Sequence, residues 1–226
     1  MLSFFSTLDT RIVPYDLLTH PFYQAWSNGQ LTRDDLREYA AEYWHHVSAF
    51  PTYLSALHAR LEDAPLRRTV LQNLAEEEGL PFGRPHSDLW MDFASGMGAD
   101  PASVRARTLQ QETSALIAHF RVAVLATPAA ALAAFYTYES RVPAIATTKA
   151  DGLRKHYGAN AATTRYFTVH QTADVHHAHV WREALWAELA RDPNCADEAL
   201  GAAEHAAAAL WTALDGIERQ RQLRNA

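Results

Sequence analysis

The sequence predicts an all-α fold, a bundle of about seven helices in one domain spanning residues 1–226. Three observations predict it. Apolar residues recur with a helical period along most of the chain. Capping residues and prolines mark successive helix starts. No segment alternates between apolar and polar residues as a half-buried strand would, and no internal repeat is present.

The first half of the chain carries clear start and stop signals. Thr32 and Asp35 form a capping box before a long helix, which Pro51 should bend or interrupt. Gly79 is a stop signal, and Asp100 followed by Pro101 is a start signal. Residues 1–15 are expected to be irregular. The expected helices cover residues 16–26, 33–61, 66–78, 87–96 and 101–125.

In the second half, Thr127 and Pro128 start an Ala-rich helix that reaches Ser140, and Pro143 should kink the segment after it. A turn over residues 158–164 leads into an apolar and aromatic run without Gly or Pro. Such a run predicts a helix. The remaining helices are expected over residues 166–186 and 197–224.

Composition narrows the class of protein. The net charge of −6 argues against nucleic acid and against an anionic membrane surface as partners. The single cysteine, Cys195, excludes an internal disulfide framework and fits a reducing compartment. We expect neither a signal peptide nor a membrane span, and therefore a cytoplasmic protein.

The predicted helix over 166–186 carries a candidate metal site. At about 100° per residue, His170, Asp174 and His177 fall on one face, within about 60° of each other. His176 and His179 fall on the far side. Two imidazoles and a carboxylate on one face are a common ligand set for first-row transition metals.

Further ligands are predicted on other helices. Glu139 comes after an apolar run, so it should face inward and need a cationic partner. The Pro/Gly break before His86 allows that histidine and one carboxylate of the Glu76-Glu77-Glu78 triplet to face the same site. Three carboxylates and three imidazoles suit two iron or manganese ions, whereas a structural zinc site needs four ligands, usually including cysteine.

A rival pair lies earlier in the chain. Glu42 and His45 have the Glu-x-x-His spacing that supplies ligands in ferritin-like di-iron bundles. That arrangement needs a second such pair on another helix, and the best match is Asp174 with His177. We therefore expect Glu42 and His45 to have other roles.

The order Glu, His, Glu, then His-x-x-x-Asp-x-x-His resembles the haem-oxygenase-like di-metal oxidases, and within them the CADD-like proteins. The resemblance covers roughly residues 15–190, and it depends on the order and number of the motifs together. The matching segments are 20–26, 42–46, 73–79, 86–90, 138–140, Lys149 and the histidine helix.

The resemblance implies a seven-helix fold without haem, like that of TenA and pyrroloquinoline quinone synthase. It implies two metal ions, Fe/Fe or Mn/Fe, that activate O₂ with electrons from an external reductant. It favours Glu77 as the ligand of the triplet through alignment on Asn73-Leu74, although the loop to His86 is two residues longer than the family pattern.

CADD-like proteins are implicated in making p-aminobenzoate for folate from a tyrosine of their own chain, with a lysine as nitrogen donor. Segment matching assigns these roles to Tyr23 and Lys149, and it makes Tyr166 an active-site aromatic residue. Two alternatives stay open, namely oxidation of a separate small molecule and a non-catalytic binding protein of the same fold. The electron donor and the oligomeric state, a homodimer included, also stay open.

Overall fold

The computed structural model describes residues 2–226, which form α-helices and 3₁₀ turns without a strand in that range. The all-α prediction is confirmed, but this part of the chain divides into eleven α-helices rather than about seven. The helices are α1 Leu2–Ile12, α2 Pro21–Ser27, α3 Arg33–Arg60, α4 Ala64–Glu77, α5 His86–Gly96, α6 Pro101–Arg105, α7 Gln111–Ala123, α8 Pro128–Glu139, α9 Val142–Tyr157, α10 Ala161–Arg191 and α11 Ala196–Asn225.

Helix α8 lies at the centre of the bundle. Residues 129–137 are all buried, and a helix that is buried all round must be covered on every side. It packs against α10 and α11. The Thr127 hydroxyl accepts a hydrogen bond from the Ala130 amide and caps its start. A single cluster of buried apolar residues runs from Phe5 to Ile217, while the prediction of one domain over 1–226 stays a prediction.

The expectation of an irregular start is wrong, because residues 2–12 are helical. Phe5, Leu8 and Ile12 are buried, and their spacing places them on one helical face. That face packs against α11. Tertiary packing, rather than a local start signal, therefore accounts for this helix.

Helix α3 starts where the capping box predicts, with Thr32 and Asp35 each accepting a hydrogen bond from the other's amide. Pro51 does not interrupt it, since α3 continues to Arg60 with the proline inside. No helix within residues 2–226 is both long enough and apolar enough to cross a membrane.

The helix expected over 101–125 is split into α6 and α7, and Glu42 explains the break. Its buried carboxylate accepts hydrogen bonds from the Arg107 side chain at 2.7 Å and from the Gln110 amide at 2.8 Å. His45 lies 2.9 Å from the Val104 carbonyl oxygen through its Nε2. Glu42 and His45 thus hold the turn between α6 and α7. Both members of the rival pair therefore have a structural role there.

Helices α2 and α9 approach closely at Gly152. A Cβ atom at this position would lie 2.8 Å from Cδ1 of Trp26, too close for an ordinary contact. The Trp26 indole N–H donates to the Lys149 carbonyl oxygen at 3.3 Å. This contact brings Tyr23 on α2 and Lys149 on α9 to the same place in the core.

We expect Gly152→Ala to destabilise the protein by about 1–3 kcal/mol, because the added methyl group must displace Trp26 from a packed core. The free energy of unfolding in urea measures this change. Gly201→Ala in α11 is the matched control, since nothing lies within 4 Å of the Cβ position there. The control should gain about 0.5–1 kcal/mol of stability through helix propensity. Equal effects of both substitutions would contradict the close approach.

Candidate active site

The six predicted ligands lie together in the core. Three occupy helix ends, at the last residue of α4, the first of α5 and the last of α8, and three share one face of α10. Each is at most 6% exposed. We call this set the carboxylate–histidine cluster; its members are Glu77, His86, Glu139, His170, Asp174 and His177.

One part of the cluster joins three helices. The Glu77 Oε2 atom lies 3.0 Å from the His86 Nδ1 atom. The imidazole rings of His86 and His170 have centroids 4.5 Å apart. Each of the three residues offers one ligand atom, and these atoms lie within 4.8 Å of one another. A single metal ion can therefore contact all three.

The other part of the cluster centres on His177. Its Nδ1 atom lies 3.3 Å from Asp174 Oδ1 and 3.8 Å from Glu139 Oε2. A small cavity connects the two parts, and its wall includes Glu77, Glu139, His170 and Asp174. Four members of the cluster therefore line one cavity, and the group around His177 lies next to the group around His86.

The donor atoms fit metal ions better than they fit one another. His86 Nδ1, Asp174 Oδ1 and His177 Nδ1 are buried and have no hydrogen-bond partner among residues 2–226. Two of them lie only 3.3 Å apart, but not in hydrogen-bonding geometry. Buried polar atoms are normally paired. Buried nitrogen and carboxylate oxygen atoms without a protein hydrogen-bond partner are the kind of atoms that serve as metal ligands.

The electrostatics of the cluster also demand positive charge. Burial and the charges of Asp174 and Glu77 raise the pKa of Glu139 well above its usual range. Burial lowers the pKa of His177, but the neighbouring carboxylates of Asp174, Glu139 and Glu76 outweigh it and raise this pKa to about 10. Glu77 and Glu139 also end helices, where the macrodipole is negative. Divalent cations would supply the charge that this cluster lacks.

Hydrogen bonds from surrounding groups orient two of the residues. His170 Nδ1 lies 2.7 Å from the Tyr166 carbonyl oxygen, so it donates there and leaves Nε2 for the cluster. The Glu139 carboxylate accepts hydrogen bonds from the Trp181 indole and from Asn73 Nδ2. Such contacts fix the direction of a metal ligand before the metal arrives.

The structure buries one member of the glutamate triplet beside His86. Glu77 is buried against His86, whereas Glu78 is exposed and Glu76 is partly exposed. Gly79 has a φ of 72°, and a Cβ atom there would lie 2.4 Å from the Arg84 carbonyl carbon. Only glycine fits this tight return of the chain. The longer loop therefore still brings His86 to Glu77.

Lys149 occupies a separate site that we call the lysine pocket. The amine is buried, and its Nζ lies 2.7 Å from the Tyr23 hydroxyl and 2.5 Å from the Tyr39 hydroxyl. Among residues 2–226 no carboxylate lies within 4.0 Å of this nitrogen to form an ion pair. Burial lowers the pKa of Lys149 well below its usual value. Burial in the lysine pocket therefore favours the neutral form of an amine that lies between two phenols.

Sequence reasoning missed Tyr39. It lies one helical turn before Tyr43 on α3, and their rings stack at a centroid distance of 5.6 Å. This spacing is that of ordinary core aromatic residues, so the sequence carried no separate signal. Only the fold shows that the Tyr39 hydroxyl contacts Lys149.

Two aromatic residues separate the lysine pocket from the cluster. Tyr138 and Tyr166 contribute to the walls of both cavities. The Tyr166 ring lies against the His170 ring at a centroid distance of 4.0 Å. Tyr23 lines the lysine pocket, so it meets the cluster only across this wall.

Comparisons with known proteins show what this chain is similar to in sequence. Residues 37–211 match a family model described as iron-containing redox enzyme. A protein named 4-aminobenzoate synthase from Chlamydia pneumoniae is 38% identical over 219 residues, covering 96% of both chains. A protein of the same name from Nitrosomonas europaea is 42% identical over 229 residues, covering 95% of this chain and 91% of its own.

Solved structures agree on the fold. A TenA homologue from Pseudomonas syringae pv. tomato superposes with a TM-score of 0.82 at 16% identity, covering 96% of this chain and 93% of its own. A CADD-like protein from Nostoc punctiforme gives a TM-score of 0.79 at 16% identity, covering 98% and 99%. Identities this low show the fold alone, and the predicted haem-oxygenase-like fold is confirmed.

We expect Lys149→Met to stabilise the protein by roughly 1–3 kcal/mol at pH 7, because it removes a desolvated amine from the core. The unfolded chain keeps this lysine protonated up to about pH 10.4, whereas the folded chain loses the proton at a lower pH. Wild-type stability from this group therefore rises with pH, by about 1.4 kcal/mol per unit, between the lowered folded pKa and about pH 10.4.

The advantage of Lys149→Met should accordingly shrink between pH 7 and pH 9 in urea unfolding. Lys155→Met is the matched control, since Lys155 lies exposed on the same helix. Its effect should stay within about 0.5 kcal/mol at either pH. A gain for Lys149→Met that does not change with pH would show that the buried amine is charged.

Proposed function

The chain belongs to the family of iron-containing redox enzymes, and from this premise we propose that it is an O₂-activating di-metal oxidase that makes 4-aminobenzoate, as its relatives are named. One observation carries the proposal. The carboxylate–histidine cluster and the lysine pocket lie on opposite sides of the wall formed by Tyr138 and Tyr166. The proposed oxidising centre thus lies across two aromatic side chains from a phenol and an amine.

We propose two metal positions, one held by Glu77, His86 and His170 and the other by the remaining three residues of the cluster. Two ions of iron, or one iron and one manganese, suit this donor set of carboxylates and imidazoles. Bound metals of this kind supply one-electron oxidation, with O₂ as oxidant and an external reductant as electron source. Each of the six proposed ligands is at most 6% exposed, and this burial keeps bulk water away from the reacting groups.

Tyr23 is proposed as the source of the product's ring. Its phenol already has the six-carbon ring of 4-aminobenzoate, and the new nitrogen must replace the hydroxyl oxygen. Lys149 Nζ lies 2.7 Å from that oxygen and 4.2 Å from the ring centroid. These two distances place the nitrogen beside the carbon that bears the hydroxyl, rather than beyond the oxygen along the C–O bond. That carbon is where the C–N bond must form as the C–O bond breaks and the hydroxyl oxygen leaves as water. Release of the product also requires cleavage of the Lys149 Nζ–Cε bond and of the Tyr23 Cα–Cβ bond, with Cβ oxidised to the carboxylate and O₂ as the oxidant.

The neutral state of Lys149 serves this chemistry. A neutral amine keeps its lone pair, so Nζ can form the bond to the ring carbon once the phenol has lost an electron and its proton. Tyr39 holds the same nitrogen at 2.5 Å and is proposed as a positioning residue. Tyr166 packs on His170 and lines the lysine pocket, so it is the proposed route for the electron between the two sites.

The proposal includes the remaining expectations about the setting of the reaction. We propose a cytoplasmic enzyme that binds neither nucleic acid nor a membrane. It takes its electrons from a separate donor, and catalysis requires no other partner. A homodimer is compatible with this proposal because every proposed site residue comes from one chain.

We expect wild-type protein to bind two metal ions per chain and Asp174→Ala to lose at least one of them, because the substitution removes a ligand from the group around His177. Metal analysis after dialysis, with circular dichroism to check helix content, measures this. His176→Ala is the control on the same helix, since His176 is exposed. The assignment fails if Asp174→Ala keeps both ions.

We expect protein grown with ring-labelled tyrosine to release labelled 4-aminobenzoate when iron, manganese, a reductant and O₂ are added. The yield should not exceed about one molecule per chain, because the protein is consumed. Mass spectrometry of the released product measures it. Tyr23→Phe and Lys149→Ala should each suppress the release, and omission of O₂ should abolish it.

Tyr53→Phe is the matched control for the labelling experiment. Tyr53 is buried on α3, and its hydroxyl has no hydrogen-bond partner in the described range 2–226. This variant should keep the wild-type yield. Labelled product from Tyr23→Phe at the wild-type yield would refute Tyr23 as the source.

A further inference from the structure

Glu76 contacts the carboxylate–histidine cluster from outside. Its side chain is 40% exposed, and its Oε2 atom lies 2.8 Å from His177 Nε2. Adjacent residues on a helix point about 100° apart, so Glu76 and Glu77 reach the cluster from different directions. Glu76 is the partly exposed member of the glutamate triplet, and it has no role in the proposed reaction.

The two nitrogens of His177 face different groups. Nδ1 faces Asp174 and Glu139 inside the cluster, and Nε2 faces Glu76. A metal bound at Nδ1 requires the ring proton at Nε2, and a carboxylate at 2.8 Å is placed to accept that proton's hydrogen bond. The hydrogen bond to Glu76 therefore selects the tautomer that a metal position at Asp174 and Glu139 needs.

His170 shows the reverse arrangement within the same cluster. Its Nδ1 donates to the Tyr166 carbonyl oxygen, so Nε2 is left for a metal. Each imidazole thus has one nitrogen held by a protein acceptor and the other directed into the cluster. For His170 the acceptor is a buried backbone group, whereas for His177 it is a carboxylate that reaches solvent.

We propose that Glu76 is a positioning residue that fixes His177 as an Nδ1 ligand and thereby strengthens one of the two metal positions, the one formed by Glu139, Asp174 and His177. This inference rests on the proposed di-metal function. A carboxylate that accepts from a ligating imidazole fixes the ring and makes the opposite nitrogen a stronger donor. The position around Glu77, His86 and His170 has no contact with Glu76 and should not depend on it.

The inference is tested with Glu76→Ala, Glu76→Gln and the control Glu78→Ala, the last at the neighbouring exposed carboxylate. Iron(II) is titrated anaerobically into each protein against a competing chelator. Glu76→Ala should weaken the binding of one ion by about 10–100-fold and leave the other unchanged. Glu76→Gln should recover most of the loss, because an amide oxygen still accepts the hydrogen bond. Glu78→Ala should bind both ions as wild type does.

A second measurement reads the tautomer itself. In the zinc-loaded protein, a nitrogen-15 spectrum of the histidine side chains reports which nitrogen of His177 carries the proton. Wild type should show a protonated Nε2 with its proton shifted by a strong hydrogen bond, and Glu76→Ala should lose that shift. If Glu76 does not hold Nε2 in the loaded protein, the substitution will leave this signal unchanged.

The outcomes separate this inference from the proposed function. If wild type binds two ions and Glu76→Ala binds both as tightly as Glu78→Ala, the role of Glu76 is refuted while the di-metal site stands. The role is also refuted if zinc-loaded wild type carries the His177 proton on Nδ1. If wild type binds fewer than two ions, the di-metal assignment fails, and the inference falls with it.

Discussion

Three buried carboxylates in one small space are the constraint on which the rest of this structure depends. Burying even one unpaired charge costs roughly several kcal/mol, so a cluster of this kind must be balanced by cations or by protons. Glu77 and Glu139 increase the need for positive charge because they end helices α4 and α8, where the backbone dipoles also present negative charge. The bundle thus concentrates negative potential at one point of its core. On helix α10, burial lowers the pKa of His177, but the neighbouring carboxylates outweigh it and raise this pKa to about 10, so this imidazole supplies positive charge.

The same constraint explains why Lys149 lies apart from the cluster. An amine in contact with those carboxylates would stay charged and form an ion pair, which would remove its lone pair. Instead, Nζ is surrounded by aromatic rings, the nearest being Tyr23 at 4.2 Å and Tyr39 at 4.8 Å. Desolvation without a carboxylate partner favours the neutral amine. The wall of Tyr138 and Tyr166 therefore separates the carboxylates of the cluster from the amine of the lysine pocket. The two sites stay close together without forming an ion pair.

The sequence was most informative where one helix carries the pattern. The spacing of His170, Asp174 and His177 predicted a shared face, and the structure buries these three while His176 and His179 stay exposed. The features it did not predict depend on contacts between distant segments. The break between α6 and α7 depends on Glu42, far earlier in the chain. The contacts of Glu76 with His177 and of Tyr39 with Lys149 likewise join separate helices, and no local periodicity encodes them.

Burying polar groups lowers the stability of the folded protein, and the aromatic residues of the core offset this loss. His46 is fully buried, neither of its nitrogens has a hydrogen-bond partner within residues 2–226, and burial lowers its pKa to about 3. It packs against the rings of Tyr43, Phe120 and Tyr138. Together with Lys149 and the cluster, it adds to the polar groups that the core must bury at a loss of stability. The closely packed aromatic residues of α3, α5 and α10 offset that loss, since each buries a large apolar area. The aromatic-rich core therefore supplies the stability that a chain of 226 residues needs in order to bury unpaired reactive groups.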